Sequence, residues 1–390
     1  MRLFRGVTRL EMSELGQVHS RSSKNLSRVY LEPTNACNLG CRTCMRNAWE
    51  EPLGKMSMQT FEQVMQGIQT FTPAPMVFFG GFGEPLAHPD IREMVAIARK
   101  AGVEVELITN GTLLDENTAG WMIELGLNRL WVSIDGATPE SYADVRLGDA
   151  LPIVLDNLTR LHQMKYLTGS SQPNLGIAFV AMKRNIADLL DVIRLGKRLG
   201  ADQFSVSNVL PHTRELCDQV LYAHSMYSSN IQSSHWSPEV SLPRMDMDES
   251  MNNRLAEVLK KCNLLQISRQ TLKLGVNTCP FLEKDSISIR WDGAVSPCLP
   301  LLHTHTSFLE DTYRTSHAYA IGNINDRSLV DLWNDPGYVQ LRERLRTFDF
   351  SPCTFCNSCD MAEANLEDCF GNAHPACGGC LWAQGFIQCP

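Results

Sequence analysis

The stretch TNACNLGCRTC, Thr34 to Cys44, places three cysteines within eight residues. Cys37, Cys41 and Cys44 follow a C-x3-C-x2-C spacing and come just after an apolar run, VYLEP (29–33). Three thiolates in one loop can hold three irons of a 4Fe–4S cube, leaving the fourth iron without a protein ligand. An open iron accepts a small molecule that chelates through an amine and a carboxylate, and an electron can pass to that molecule. The plain alternative is a structural zinc site that borrows a distant fourth ligand.

The chain around this loop reads as an ordinary globular protein. Of 390 residues, 44% are apolar and 20% charged, and the formal net charge is −8. That balance gives no overall basic footprint for nucleic acid. No apolar run reaches the length of a membrane-spanning helix, and the N-terminus carries no apolar signal core. A cytoplasmic location is therefore expected, where thiols stay reduced and metal ligation is favoured over disulfides. Twelve of the 14 cysteines fall in two places, three in residues 37–44 and nine in residues 279–389, while Cys217 and Cys262 stand apart. Buried thiols scattered for packing would not cluster in this way.

Between residues 28 and 210 short apolar runs alternate with helical patterns. Strands are expected at 29–33, 76–79, 103–108, 129–134, 175–180 and 203–208, with helices near 58–70, 90–101, 115–126, 151–167 and 186–199. Strand–helix alternation implies an α/β fold with a parallel sheet, here six units in a curved, partial (β/α)6 barrel of TIM-like kind, with function on the loops at the C-terminal strand ends. Four segments follow: an N-terminal extension (1–27), this core (28–210), a polar linker and helical bridge (211–275), and a small Cys-rich C-terminal domain (276–390). The linker is Ser-rich over 225–250, and helical periodicity returns over 251–270. The last segment is too rich in Cys, Gly and Pro to bury a large core of its own, so metal clusters are the expected staple.

The cysteine spacing, placed after the first strand, resembles the radical S-adenosylmethionine (SAM) superfamily. The resemblance implies that the cluster at Cys37, Cys41 and Cys44 reduces bound SAM and releases a 5′-deoxyadenosyl radical, with electrons from a reductant such as ferredoxin or flavodoxin. The position before the third cysteine is commonly aromatic in that superfamily, and here it is Thr43. FFGGFGEPLAHPD (78–90) resembles the superfamily's Gly-Gly-Glu element. There Gly81 and Gly83 would let the backbone approach the ligand closely, and Glu84 or its adjoining backbone would receive the SAM ammonium. ITNGTLLDE (108–116) and VSIDGATPESYADVR (132–146) look like later SAM-facing loops. By that likeness Asn110, Ser133 and Asp135 would meet the ribose hydroxyls, Arg146 the SAM carboxylate, and Asn208 the base; Val206 reads as core. Each loop alone is also an ordinary turn; their order after successive strands is what carries the likeness.

The C-terminal cysteines are Cys279, Cys298, Cys353, Cys356, Cys359, Cys369, Cys377, Cys380 and Cys389. With Gly293-x4-Cys298, IGNI (321–324) and SLVDLWN (328–334) they resemble the SPASM extension, which holds one or two auxiliary 4Fe–4S clusters. Two fully ligated cubes need eight thiolates, which leaves one cysteine over. The spacing C-x2-C-x2-C-x9-C departs from the family's C-x2-C-x5-C-x3-C, so individual ligands are not assigned to clusters. Two zinc knuckles would use the same count. His303, His305 and His317 are candidates for substrate contact or proton transfer, though the plainer expectation for them is a surface loop.

GGCLWAQGFIQCP at the C-terminus and YLEPTNACNLGCRTCMRNAWEEPLG near the N-terminus resemble the maturases of tungsten-containing aldehyde ferredoxin oxidoreductases. This implies a tungsten oxidoreductase, or its pterin cofactor, as the target. The alternative is a peptide-modifying SPASM maturase that installs thioether or carbon–carbon links. The formylglycine branch is disfavoured, since Leu299 and Pro300 follow Cys298 where an acidic base is usual. A reading of another class, a non-enzymatic iron–sulfur electron carrier, would not need the ordered SAM loops.

Overall fold

The protein is described here from a computed structural model, which covers residues 25–49, 51–146, 148–223, 239–241, 246, 266–268, 279–309, 312–355 and 359–390. Six strands run in the expected places: β1 (Arg28–Leu31), β2 (Met76–Phe79), β3 (Val105–Thr109), β4 (Arg129–Ser133), β5 (Asn174–Ala181) and β6 (Ala201–Asn208). Each pairs in parallel with the next. Helices α1 (Met58–Ile68), α2 (Ile91–Lys100), α3 (Glu116–Glu124), α4 (Pro139–Arg146), α5 (Leu151–Thr168) and α6 (Leu189–Arg198) fill the connections. Ser57 and Asp115 cap α1 and α3 by accepting N–H groups of Thr60 and Thr118, which satisfies donors that the first turn leaves unpaired.

The sheet is wider than six strands. β7 (Glu239–Ser241) and β8 (Gln266–Ser268) continue it in parallel beyond β6. Both come from the segment expected to be linker and helical bridge; the rest of that segment beyond residue 223, apart from residue 246, lies outside the described residues, as does the N-terminal extension up to residue 24. Helical periodicity over 251–270 therefore does not hold at 266–268, where pairing to a sheet edge overrides it. At the other edge β9 (Ser286–Ile289) lies parallel to β1, followed by antiparallel β10 (Ala294–Ser296) and β13 (Gly322–Asn323). A separate hairpin joins β11 (His305–Leu309) and β12 (Thr312–Ser316).

Alternation along each strand builds two layers. Val29, Leu31, Val77, Phe79, Leu130 and Val132 face the helices in one core, and Val206 belongs to it as expected. The intervening Tyr30, Phe78 and Trp131 face the concave side in a second core. The C-terminal residues Leu381, Trp382, Phe386 and Ile387 pack into that concave layer. The C-terminal segment thus contributes more apolar packing than its composition suggested: Ile287, Ile289, Trp333 and Leu341 join the helix-facing core. It packs as an extension of a large core, which is why few periodic segments suffice. Among the described residues no helix is long and apolar enough to cross a membrane.

Candidate functional site

The loop after β1 carries Cys37, Cys41 and Cys44 at the C-terminal end of the sheet. Thr34 and Asn35 stitch it to the returning chain. The Thr34 hydroxyl donates to the Gly54 carbonyl at 2.6 Å, and Asn35 exchanges hydrogen bonds with Pro52 and Gly54. The thiols are within electrostatic reach of one another, and burial pushes those of Cys37 and Cys44 up from the ordinary range. Donors surround them. The Leu39 N–H and the Asn110 amide point at the Cys37 sulfur, and the Arg146 guanidinium lies 3.5 Å from that of Cys41.

The Gly-rich loop after β2 presses against this cysteine loop. A Cβ on Gly83 would collide with the Thr34 carbonyl oxygen, and Gly81 has φ +118° with Glu32 directly beside it. Both glycines thus permit a close approach between two protein loops, where the sequence reading has them admit a ligand. The Glu84 N–H bonds the Ala36 carbonyl. The Glu84 carboxylate is buried and accepts from the Thr109 hydroxyl at 2.7 Å, the Asn110 N–H at 2.8 Å and the Leu86 N–H at 3.0 Å. Burial holds its pKa above the usual carboxylate range even so. Its oxygens brace the loops after β2 and β3.

The other expected contacts are brought to the same end of the sheet. Asn110 donates to Asn38 at 2.9 Å, tying the loop after β3 to the cysteine loop. Ser133 closes β4. Asp135 is fully buried and pairs with Arg146 at 2.6 Å, and its other oxygen accepts the Val180 N–H. The two residues expected to meet separate parts of SAM therefore meet each other. The Asn208 amide donates to the Phe386 carbonyl at 2.8 Å, joining the end of β6 to the C-terminal segment.

A second set of thiols is enclosed. Cys279, Cys298, Cys377 and Cys380 line one cavity of about 60 Å³, with Arg314 among its walls. Burial pushes Cys279 up to about 12 and Cys298 and Cys377 well above the ordinary thiol range, and the neighbouring thiols add to the effect. Cys353 is buried, whereas Cys359 and Cys369 are exposed. Asp368 accepts the Ser351 N–H, which sets the loops of Cys353 and Cys369 side by side. Cys356 lies outside the described residues. Cys389 is half-buried against the concave core.

Both thiol sets fit polynuclear iron–sulfur groups. One offers three sulfurs ringed by N–H donors, the other four sulfurs around a shared void. Among the described residues no three His, Cys, Asp or Glu side chains converge as a single ion requires. Three groups that the sequence reading did not single out, Glu32, Glu51 and Trp49, also belong here, gathered around His303, one of its candidate histidines. Glu32 is the residue directly after β1, so the strand-end rule alone would have found it. His303 has no exposed surface and His305 is 2% exposed, so neither is the surface-loop residue expected from its setting. Apolar loop residues such as Leu299 and Leu302 fold that segment inward. His317 is partly exposed.

A parallel sheet thus carries three thiols at its C-terminal end, and the C-terminal segment gathers four more around one cavity. Residues 31–196 match the model of the radical SAM superfamily, and residues 279–360 that of the SPASM iron–sulfur cluster-binding domain. The chain belongs to the radical SAM enzymes that carry a SPASM domain. It is 30% identical over 366 residues to the tungsten-containing aldehyde ferredoxin oxidoreductase cofactor-modifying protein of Pyrococcus furiosus, covering 93% of this chain and 96% of that one. Among solved structures, Streptococcus suis SuiB bound to S-adenosylmethionine shares the fold with a TM-score of 0.57 at 14% identity, over 87% of this chain and 72% of that one. Native anSMEcpe with bound AdoMet shares it with a TM-score of 0.55 at 16% identity, over 92% of this chain and 95% of that one.

Proposed function

We propose that the protein matures a tungsten-containing oxidoreductase by modifying its pterin cofactor, or the oxidoreductase itself, through radical SAM chemistry. The observation that carries the substrate class is similarity along nearly the whole length of both chains to a cofactor-modifying protein of that kind. In this reading residues 28–210 form the SAM-cleaving core and residues 276–390 the auxiliary iron–sulfur unit. When bound, a 4Fe–4S cluster and SAM together supply a one-electron cleavage that yields a hydrogen-abstracting radical.

The chain's own residues have separable tasks. Cys37, Cys41 and Cys44 hold the first cluster and leave one corner to SAM. Gly81, Gly83 and Glu84 set the course of the loop whose backbone receives the SAM ammonium. Asn110 and Ser133 stand on the ribose side. Arg146, paired with the Asp135 carboxylate, keeps its positive charge beside the Cys41 sulfur. Cys279, Cys298, Cys377 and Cys380 would hold a closed auxiliary cluster, a group suited to electron transfer. Cys359 and Cys369 are exposed while Cys353 is buried, and the exposed pair marks where a ferredoxin- or flavodoxin-like reductant exchanges electrons.

The test uses anaerobic, cluster-loaded protein with SAM, a reductant, and either a tungsten oxidoreductase with its pterin or a Cys-rich peptide. The expected result is 5′-deoxyadenosine formation stimulated by the oxidoreductase or its pterin, with a mass change on that target. Stimulation and modification confined to the peptide would replace this reading with that of a peptide maturase.

A further inference from the structure

We infer that His303 is a positioning residue for the Gly-rich loop 80–84: through Glu32 it ties that loop to the C-terminal segment, and the tie sets how tightly SAM is held. The inference rests on the radical SAM reading above and adds a residue that lies in none of its motifs.

The imidazole is fully buried and bonded on both nitrogens. Nε2 lies 2.8 Å from Glu32 Oε2, and Nδ1 lies 2.5 Å from Glu51 Oε2. Glu32 uses its other oxygen to accept the N–H of Phe82, in the middle of the Gly-rich loop, at 3.1 Å. Gly81 leaves no space there, since a Cβ would stand 2.8 Å from Glu32 Cγ. The Phe82 ring meets the imidazole edge-on at 5.6 Å, and Trp49 stacks on it at 4.3 Å. The Thr304 N–H also donates to Glu51. The ring therefore joins three pieces of chain: the loop after β1, the leg after Cys44, and the C-terminal segment. A shift of Glu32 would move Phe82 and the backbone on either side of it.

A neutral imidazole has one N–H and one lone pair, so it bonds only one of two carboxylates well. The imidazolium donates to both, and the tie is complete in that form. Among the described residues, four groups bear on its charge. Glu32 faces it from the end of β1 and Glu51 from the leg after Cys44. Arg290, just after β9, lies 3.5 Å from Glu51 and pairs with Asp292 at 2.6 Å. His305, at the start of β11, bonds the His303 carbonyl at 3.0 Å and is held neutral by burial, with its pKa lowered to about 4. Burial opposes charging of His303, but the hydrogen bonds and charges of Glu32 and Glu51 outweigh it and raise its pKa. With a raised folded pKa, the tie is fully present below the ordinary imidazole value and is lost as pH rises through the raised one.

The experiment measures the SAM dissociation constant of the full, anaerobic, cluster-loaded protein by equilibrium dialysis from about pH 6 to about pH 9.5, with iron content in parallel. His303→Gln is expected to weaken SAM binding roughly tenfold at neutral pH with iron unchanged. Glu51→Gln removes one carboxylate that holds the proton, and its pH midpoint for SAM affinity is expected about one unit below that of the unaltered protein. A part that only supported the fold would weaken binding at every pH without moving that midpoint. SAM affinity of His303→Gln within about twofold of the unaltered protein would overturn the inference. So would an unmoved midpoint in Glu51→Gln, which remains informative where His303→Gln does not fold. If the unaltered protein binds no SAM, the reading of the site falls and this inference with it; if it binds and both variants match it, only the inference falls.

Discussion

The two thiol sets differ in how many donors the chain supplies and in what surrounds them. The N-terminal loop brings three cysteines to the C-terminal end of the sheet, close against the loops after β2 and β3. The C-terminal segment brings four around one enclosed cavity. Three donors leave an iron free to hold a ligand, whereas four leave a cluster only electrons to exchange. The fold enforces this contrast. The open set hangs on a loop braced by Thr34, Asn35, Gly83 and Glu84; the closed set draws Cys279 and Cys298 from either side of the β9–β10 hairpin and Cys377 and Cys380 from near the C-terminus.

The largest effect should come from deleting the open set. Cys37→Ala with Cys41→Ala and Cys44→Ala is expected to lower iron by about four per chain and to reduce 5′-deoxyadenosine to background. Deleting a member of the closed set should separate the two. Cys298→Ala is expected to lose about four irons as well, yet to keep SAM cleavage while substrate turnover is lost. Equal loss of cleavage in both variants would erase the distinction between the sets.

The next two variants probe the bracing of the open side. Asp135→Asn leaves the Arg146 charge buried without its partner, and denaturant unfolding should show a loss of about 3 kcal/mol. Gly83→Ala drives a Cβ into the Thr34 carbonyl and should cost about 1–3 kcal/mol, with a measurable rise in the SAM dissociation constant. The smallest effect belongs to the closed side. Asn208→Ala removes one hydrogen bond to the Phe386 carbonyl and should cost about 1 kcal/mol, with SAM cleavage little changed.

Much of the molecule was legible before its structure. The six core strands fell within two residues of their expected bounds at either end, because fully buried parallel strands are apolar, short and bounded by turn residues. The three-cysteine loop was legible because its thiols lie within eight residues of one another. The partition of the later cysteines was not, because Cys279 and Cys298 meet Cys377 and Cys380 only after β9 joins the edge of the main sheet. The burial of His303 was hidden for a similar reason: its partners Glu32 and Glu51 lie 271 and 252 residues away along the chain. β7 and β8 were missed because two three-residue strands carry no periodic signal. The roles of Asp135 and Arg146 were read as separate because sequence order does not reveal that α4 returns Arg146 to the end of β4.

The most direct measurement is electron paramagnetic resonance of the reduced, cluster-loaded protein with and without SAM. One cluster signal should change on adding SAM in the unaltered chain and in Cys298→Ala, and no SAM-sensitive signal should remain once Cys37, Cys41 and Cys44 are replaced by Ala. A SAM-sensitive signal that survives loss of those three cysteines would contradict the account.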